Sequence, residues 1–440
     1  MRMRLLSGGL ITMAAVAAMA VCAAARAAEE PRIVPIGMGW ARTTVNTTTF
    51  RSEAVTTHGQ TQYAAFYDVD SQVVLARRTL GSDKWDLRQT SLTGNTRDAH
   101  NSISIAVDGD GYLHVSWDHH CHALRYVQSR APGSLELTEK MPMTGQAESR
   151  VTYPEFIRLP DGDLVFMYRD GGSGNGRTML NRFDLKTRRW SVVQHPLIDG
   201  RGKNNAYTNR LAIGADGVWH LSWCWRETPD LATNHDVCYA RSADEGRTWT
   251  KSTGQPYALP ITEDTAEVVV AVPEGSQLIN QTSMAADSRG RPVIATYWRP
   301  VGQEAAQVHV IRRDEAGWRV VQVTDRRLPF TFATGGGTRR KTLSRPAIAI
   351  DAADRIYLLI RDEERGGKVS ALISQDADLA AWRTVDLTSE SFGQYEANYD
   401  RVLWKRDGLL HIFIQRSEQG DGERPSDLGA QPVGVLEWKP

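Results

Sequence analysis

The chain has 440 residues, with 52 basic and 52 acidic side chains, a formal net charge of zero and 41% hydrophobic residues. A balanced charge carries none of the basic footprint that nucleic acid or an anionic membrane surface selects, so neither is expected as a partner. At this length two or three domains are the ordinary expectation, although repetitive all-β folds carry as many residues in one unit.

The first 28 residues read as a secretory signal. Arg2 and Arg4 make a basic start, an Ala-rich apolar stretch follows, and Ala25-Arg26-Ala27 offers a small-x-small cleavage site. The mature protein, residues 29–440, is therefore expected to be exported, periplasmic or secreted. Cys22 leaves with the signal, so Cys121, Cys224 and Cys238 remain. An odd number of thiols in a chain long enough to bury its own core does not form a disulfide framework.

Beyond residue 45 the chain reads as short strands punctuated by Asp-Gly turns, without a helical period. One phrase recurs: a turn, then a strand ending in an aromatic or charged residue, as in "DGDGYLHVSWD", "DGDLVFMYRD" and "GADGVWHLSWCW". Seven copies are marked by Tyr67, Trp117, Tyr168, Trp223, Trp298, Arg361 and Gln415, at steps of 50, 51, 55, 75, 63 and 54 residues. Each step accommodates one four-stranded sheet, which is the period of propeller blades. Trp-bearing segments such as "RRWSVVQH" and "GWRVVQVT" fall where outer strands belong, and "SADEGRTW" (Ser242 to Trp249) has the form of an Asp-box turn. The expected fold is an all-β, seven-bladed β-propeller, with "RIVPIG" or the C-terminal "PVGVLEWKP" completing a shared blade.

In a propeller, inner-strand starts and second-strand ends crowd one mouth of the central channel. His100, Asn101, Tyr207, Asn280, Gln281, Arg345 and Asn398 occupy the first kind of position. Asp118, His119, His120, Tyr168 and Arg169 occupy the second. A polar ring of this composition suits a hydrophilic ligand with hydroxyls and carboxylates, such as a sugar chain.

The phrases "RDAHNSISIAVDGDGYLHVSWDHH", "VTYPEFIRLPDGDLVFMYRDGGSGNG", "LIDGRGKNNAY", "HLSWCWRETPDLATNHDVCYARS" and "LINQTSM" are more specific. Together they resemble the propeller-type ulvan lyases, BNR-repeat polysaccharide lyases that cut rhamnose–uronate linkages by β-elimination. The resemblance implies a catalytic His100 and Tyr168, with Arg182 and His120 at the uronate carboxylate. Asn101, Tyr207, Asn280 and Arg345 are further expected substrate contacts. The chemistry is consistent with those residue types. The C5 proton beside a carboxylate is too weakly acidic for an unaided base, so cationic partners must hold the charge that develops. A histidine then serves as base near neutral pH, and a phenol protonates the departing O4. This implies a polysaccharide partner containing uronic acid, a monomeric enzyme and no cofactor for catalysis.

Cys224, His235 and Cys238 form a second cluster with zinc-type donors, and His195 is a candidate fourth ligand beside His220 and Cys121. A structural zinc ion is one reading, and a Cys224–Cys238 disulfide or two buried free thiols are the others. Two further functions stay open at this point. One is a hydrolase or lyase on rhamnose–glucuronate linkages of another polysaccharide; the other is a non-catalytic glycan-binding propeller. Hydrolysis ordinarily needs two placed carboxylates, and only Asp118 and Glu155 are near at hand.

Overall fold

A computed structural model describes residues 30–51, 53–332 and 335–440. The expected signal segment lies outside the described residues. The remainder forms seven antiparallel sheets. The first blade is built from Val55–His58, Thr61–Tyr67, Gln72–Thr79 and Asp86–Thr93, paired in chain order. Blades three, five and six repeat this order, and all seven marker residues fall on the second strand of their own blades. The recurrence in the sequence is thus the blade repeat. The seventh blade closes the ring. Its outer strand is Arg32–Gly39 from the N-terminal end, paired antiparallel with Gln431–Trp438 from the C-terminal end. Both expected closing segments therefore belong to the same sheet.

Apolar packing follows the ring. Among the described residues there are seven core clusters, and each joins two consecutive blades. A blade buries one face against the preceding blade and the other against the next, so adjacent residues of a strand enter different clusters. Across the axis, Arg210 of blade four pairs with Glu53, which precedes blade one, at 2.6 Å. The Asp-box lies between the third and fourth strands of blade four. Ser242 Oγ accepts from the Gly246 amide and Asp244 accepts from Thr248, while Trp249 is buried. Gly246 has φ +86°, and a Cβ there would lie 2.9 Å from the Trp219 ring, so only glycine fits this turn.

Blade two departs from the repeat. Its sheet holds three strands, Ile103–Val107, Leu113–Trp117 and Tyr126–Gln128. After Trp117 the chain breaks at Asp118, which has φ +62°, and the short strand His120–His122 pairs with Val151–Arg158, the inner strand of blade three. The histidine-rich segment is thus annexed to the neighbouring blade at the channel mouth.

Candidate active site

The mouth holds a cleft with about 550 Å³ of empty space, lined by Phe50, His100, His120, Tyr153, Arg169, Tyr207, Arg226, Asn280 and the 336–345 segment among others. Each wall residue has a local cause. His100 sits in a tight turn in which Asp98 Oδ1 accepts from the His100 amide at 2.9 Å. The same carboxylate then reaches both imidazoles: Oδ1 lies 2.7 Å from His100 Nδ1 and Oδ2 lies 2.6 Å from His120 Nδ1. The two rings stack, with centroids 4.1 Å apart and planes 12° from parallel, and Phe50 covers the other face of His100 at 5.3 Å. Glu423, from the loop before the C-terminal strand, adds a second carboxylate 3.1 Å from His100 Nδ1.

Tyr153 stands between His100 and Tyr207, with ring centroids 5.7 and 6.1 Å away. Its φ is +54°, an outlier for a bulky residue, and it lies in an irregularity between Thr152 and Glu155 that re-aims the strand. Strain of this kind persists where the surroundings over-determine it. Arg169 lies over the Tyr153 ring at 4.8 Å.

Arg169, near the end of the second strand of blade three (Leu164–Gly172), and Arg226, at the end of that of blade four (Trp219–Arg226), converge on one phenol. Arg226 Nη1 donates to the Tyr207 hydroxyl at 2.9 Å and Arg169 Nη1 at 3.4 Å, while Ser173 Oγ lies 2.8 Å from it. Arg226 also donates to Asn234 Oδ1 at 2.7 Å and Asn280 Oδ1 at 2.6 Å. Each arginine is 5% exposed. Neither has a carboxylate partner among the described residues, whereas Arg345 and Lys341 on the opposite wall share Glu396 at 2.7 and 3.7 Å. Two buried guanidiniums without an acid are costly unless an anion completes the site.

The electrostatics follow from this geometry. Burial alone would raise the Asp98 carboxyl, but hydrogen bonds from His100 and His120 hold it well below the usual range. Burial would lower His100, yet Tyr153, Asp98 and Glu423 lift it well above an ordinary histidine. His120 goes the other way, lowered by burial and by the charge of His100. Burial raises the Tyr153 phenol. Tyr207 is lowered, because Arg226 and Arg169 outweigh its burial.

The expected site residues divide. His100, His120, Tyr207, Asn280 and Arg345 line the cleft. Asn101 lies beneath it, fully buried, donating to the Asn95 carbonyl at 3.1 Å. Tyr168 lies elsewhere: its ring belongs to the cluster between blades two and three, and its hydroxyl donates to the Ala147 carbonyl at 3.3 Å. The strand's alternation gives the mouth Arg169 instead. Arg182 is also removed from the cleft. It pairs with Asp163 at 2.8 Å and Asp161 at 3.0 Å, in the turn at the far end of the blade, and with Glu245 of the Asp-box. His119 is buried behind the site, where its Nε2 accepts from the Arg125 amide at 2.7 Å.

The zinc set does not converge either. Trp223 pairs with Cys238 across the hairpin, so Cys224 points to the opposite face. Cys238 accordingly joins the cluster between blades three and four and Cys224 the one between blades four and five. Both are free thiols, which also rules out a bond between them. His195 Nε2 meets Asn181 Oδ1 at 2.7 Å in blade three. His235 instead meets Glu227 at 3.0 Å and Glu263 at 3.7 Å, in a cluster whose donor atoms lie within 4.8 Å of one another. These residues do not fit a Cys/His zinc site.

Known proteins bear on this arrangement in three ways. A solved polysaccharide lyase superposes with a TM-score of 0.65 at 16% identity, covering 88% of this chain and 89% of its own. A solved ulvan lyase bound to -[GlcA(1-4)Rha3S]- superposes with a TM-score of 0.67 at 12% identity, covering 91% and 95%. Among curated proteins, an ulvan lyase long isoform of Alteromonas sp. is 27% identical over 148 residues, 24% of this chain and 15% of that protein's length. One from Alteromonas sp. (strain LOR) is 39% identical over 57 residues, 12% of this chain and 6% of that protein. The chain thus matches only a small share of these curated relatives. The model of the BNR repeat-containing family covers residues 61–326, more than half of the sequence, so this seven-bladed chain belongs to that family.

Proposed function

We propose that the protein is a polysaccharide lyase that cleaves rhamnose–uronate linkages of an ulvan-like glycan by β-elimination, leaving a 4,5-unsaturated uronate. The observation that carries this reading is the pair Arg169 and Arg226, buried and without an acid partner among the described residues. A uronate carboxylate entering the cleft supplies the missing anion. The two guanidiniums then hold the charge that grows on that group as the C5 proton leaves.

Proton transfer falls to groups already on the cleft wall. The His100–His120 pair offers a base at neutral pH, since stacked imidazoles on one carboxylate share a single extra proton. Tyr153 retains its proton through burial and donates it to the departing O4, with Arg169 over its ring to stabilise the phenolate as it forms. Tyr207 accepts from both arginines and so holds the two guanidiniums together at the carboxylate. The small share of the curated lyases that the chain matches, and the ulvan lyase propellers it superposes on, support the same reading.

Hydrolysis is disfavoured by the wall itself: no carboxylate is among its described lining residues, and Asp98, Glu396 and Glu423 behind it are paired with histidine, lysine or arginine. Mass spectrometry of the products of a rhamnose–uronate polysaccharide tests the proposal. Elimination yields fragments one water lighter than hydrolysis does. Fragments of hydrolytic mass would overturn the reading, and uncut glycan that still binds would favour a binding module.

A further inference from the structure

We propose that the groove between the outer edges of blades two and three is a second glycan-binding site, which holds one stretch of an anionic polysaccharide while the cleft acts on another stretch of the same chain. The inference rests on the polysaccharide reading above and concerns residues outside the cleft.

The groove has a local cause. The three-stranded sheet of blade two leaves its outer edge to an irregular segment. The Thr138 amide donates to the Gln128 carbonyl at 2.8 Å and the Met141 amide to the Tyr126 carbonyl at 3.1 Å, as a fourth strand would. The chain then leaves the edge and rejoins it at Glu148, whose carbonyl accepts from the Leu124 amide at 2.8 Å. Glu148 Oε1 fixes the intervening turn by accepting from the Thr144 and Gly145 amides at 2.7 and 3.0 Å and from the Thr144 hydroxyl at 3.2 Å. Facing this turn is the outer strand of blade three, Arg189–Asp199. About 900 Å³ of empty space lies between them, more than in the cleft. That is within the roughly 300–1,000 Å³ of small-ligand sites.

The walls suit an acidic sugar chain. Met141, Met143 and Val192 offer apolar surface to sugar C–H faces. Trp190 beside them is held by Phe183 at 5.3 Å and Tyr126 at 5.8 Å, so the surface is formed in advance. Gln128 and Gln146 supply amide donors and acceptors for hydroxyls. No carboxylate is among the described lining residues, whereas two arginines are. Arg188 is engaged, over the Tyr112 ring at 3.9 Å and 3.5 Å from Asp110. Arg189 is exposed and has no carboxylate partner among the described residues. Its guanidinium fork complements a uronate carboxylate or another anionic group of the glycan.

The same strand ties the groove to the mouth. Its far end, Asp199, is opposite Arg177, which pairs with Asp170 next to Arg169. From Val192 to Asp199 the strand covers on the order of 25 Å at about 3.3 Å per residue. One polysaccharide chain spans that distance, and engaging both sites raises its apparent affinity without any new contact in the cleft.

Affinity electrophoresis in gels containing ulvan, alongside rates on ulvan and on an ulvan tetrasaccharide, tests this on the full chain. Arg189→Glu with Gln146→Ala changes two exposed side chains, so the melting curve should stay that of the wild type. Apparent affinity for ulvan should fall by about a hundredfold, the lower end of what a second engaged site contributes. KM on ulvan should rise with kcat unchanged, and the tetrasaccharide, too short to reach both sites, should be cut at the wild-type rate. Arg189→Lys should keep most of the ulvan retention. The Arg169→Met chain should still be retained by ulvan and should lose that retention once the groove pair is also changed. Unchanged retention in the groove variant, or an equal loss on tetrasaccharide and polymer, would overturn the proposal. So would sedimentation showing that the groove variant breaks a dimer, which would assign the groove to a second copy of the chain. If ulvan is retained through the groove and yields no unsaturated product, the elimination reading fails and the groove stands.

Discussion

Tyr168 and Arg169 are neighbours in one strand and serve opposite sides of the third blade: the phenol is sealed among Phe166, Met179 and Val151, and the guanidinium reaches the cleft. This parity keeps the Tyr168 phenol out of the cleft, where Tyr153 is the proposed acid. Tyr168→Phe removes a half-buried hydrogen bond to the Ala147 carbonyl, worth about 1 kcal/mol, and should leave the lyase rate near that of the wild type. Tyr153→Phe should lower kcat by about a hundredfold to ten-thousandfold, as for a placed general acid. Paired rate and melting measurements on the two variants check this.

The unpaired arginines predict a trade between activity and stability. Arg169→Met removes a buried charge whose side-chain hydrogen bonds are few, one to the Gly171 carbonyl at 3.0 Å and one to Tyr207 at 3.4 Å. Such replacements of buried charge by apolar volume are often neutral or stabilising. Chemical denaturation should show unchanged or increased stability while kcat/KM falls by about a hundredfold or more.

Much of the fold was legible because its evidence is periodic. The repeated turn-and-strand phrase marks every second strand, and the Asp-box lies where its motif indicates. The site was legible only in part, because a period does not reveal which face a residue takes. Tyr168 and Arg169 both satisfy "second-strand end", and only the register, Thr152 opposite Arg169, separates them. Arg226 ends a second strand in "WCWRET" and that rule alone would have found it. Tyr153 could not be found this way, since it depends on a positive φ within an irregular strand start. Phe50, Arg339 and Lys341 come from loops without periodicity. The cysteine pair failed for the same reason as Tyr168: closeness along a hairpin does not fix a shared face.

Thiol reactivity tests that last placement. Cys121 is exposed, while Cys224 and Cys238 are buried and burial pushes their thiols up, Cys224 to about 12. A thiol reagent should modify Cys121 rapidly in the native protein, and Cys224 and Cys238 only on unfolding. Rapid native modification of all three would contradict the placement of the two in separate blade interfaces.

Glu396 is predicted to control acid stability. It is buried, and although burial would raise it, Arg345 and Lys341 hold its carboxyl down to about 2. The folded value is below the ordinary 4.5, so its contribution is complete above that value and is lost as the pH falls towards about 2. Glu396→Gln leaves two buried cations without their acid and should cost about 3–5 kcal/mol at neutral pH. The variant's stability should also depend less on pH over the acid range, as denaturant titrations at several pH values would show.

The central claim, elimination in the arginine-lined cleft, is tested most directly by ultraviolet absorbance during digestion of a rhamnose–uronate polysaccharide. A new C4=C5 bond conjugated to the carboxylate absorbs where neither the intact chain nor a hydrolysed end does. The account predicts a steady rise with the wild-type protein, a similar rise with Tyr168→Phe, and almost none with Tyr153→Phe or Arg169→Met. Chain scission without any rise, or a rise that survives Arg169→Met at full rate, would contradict it.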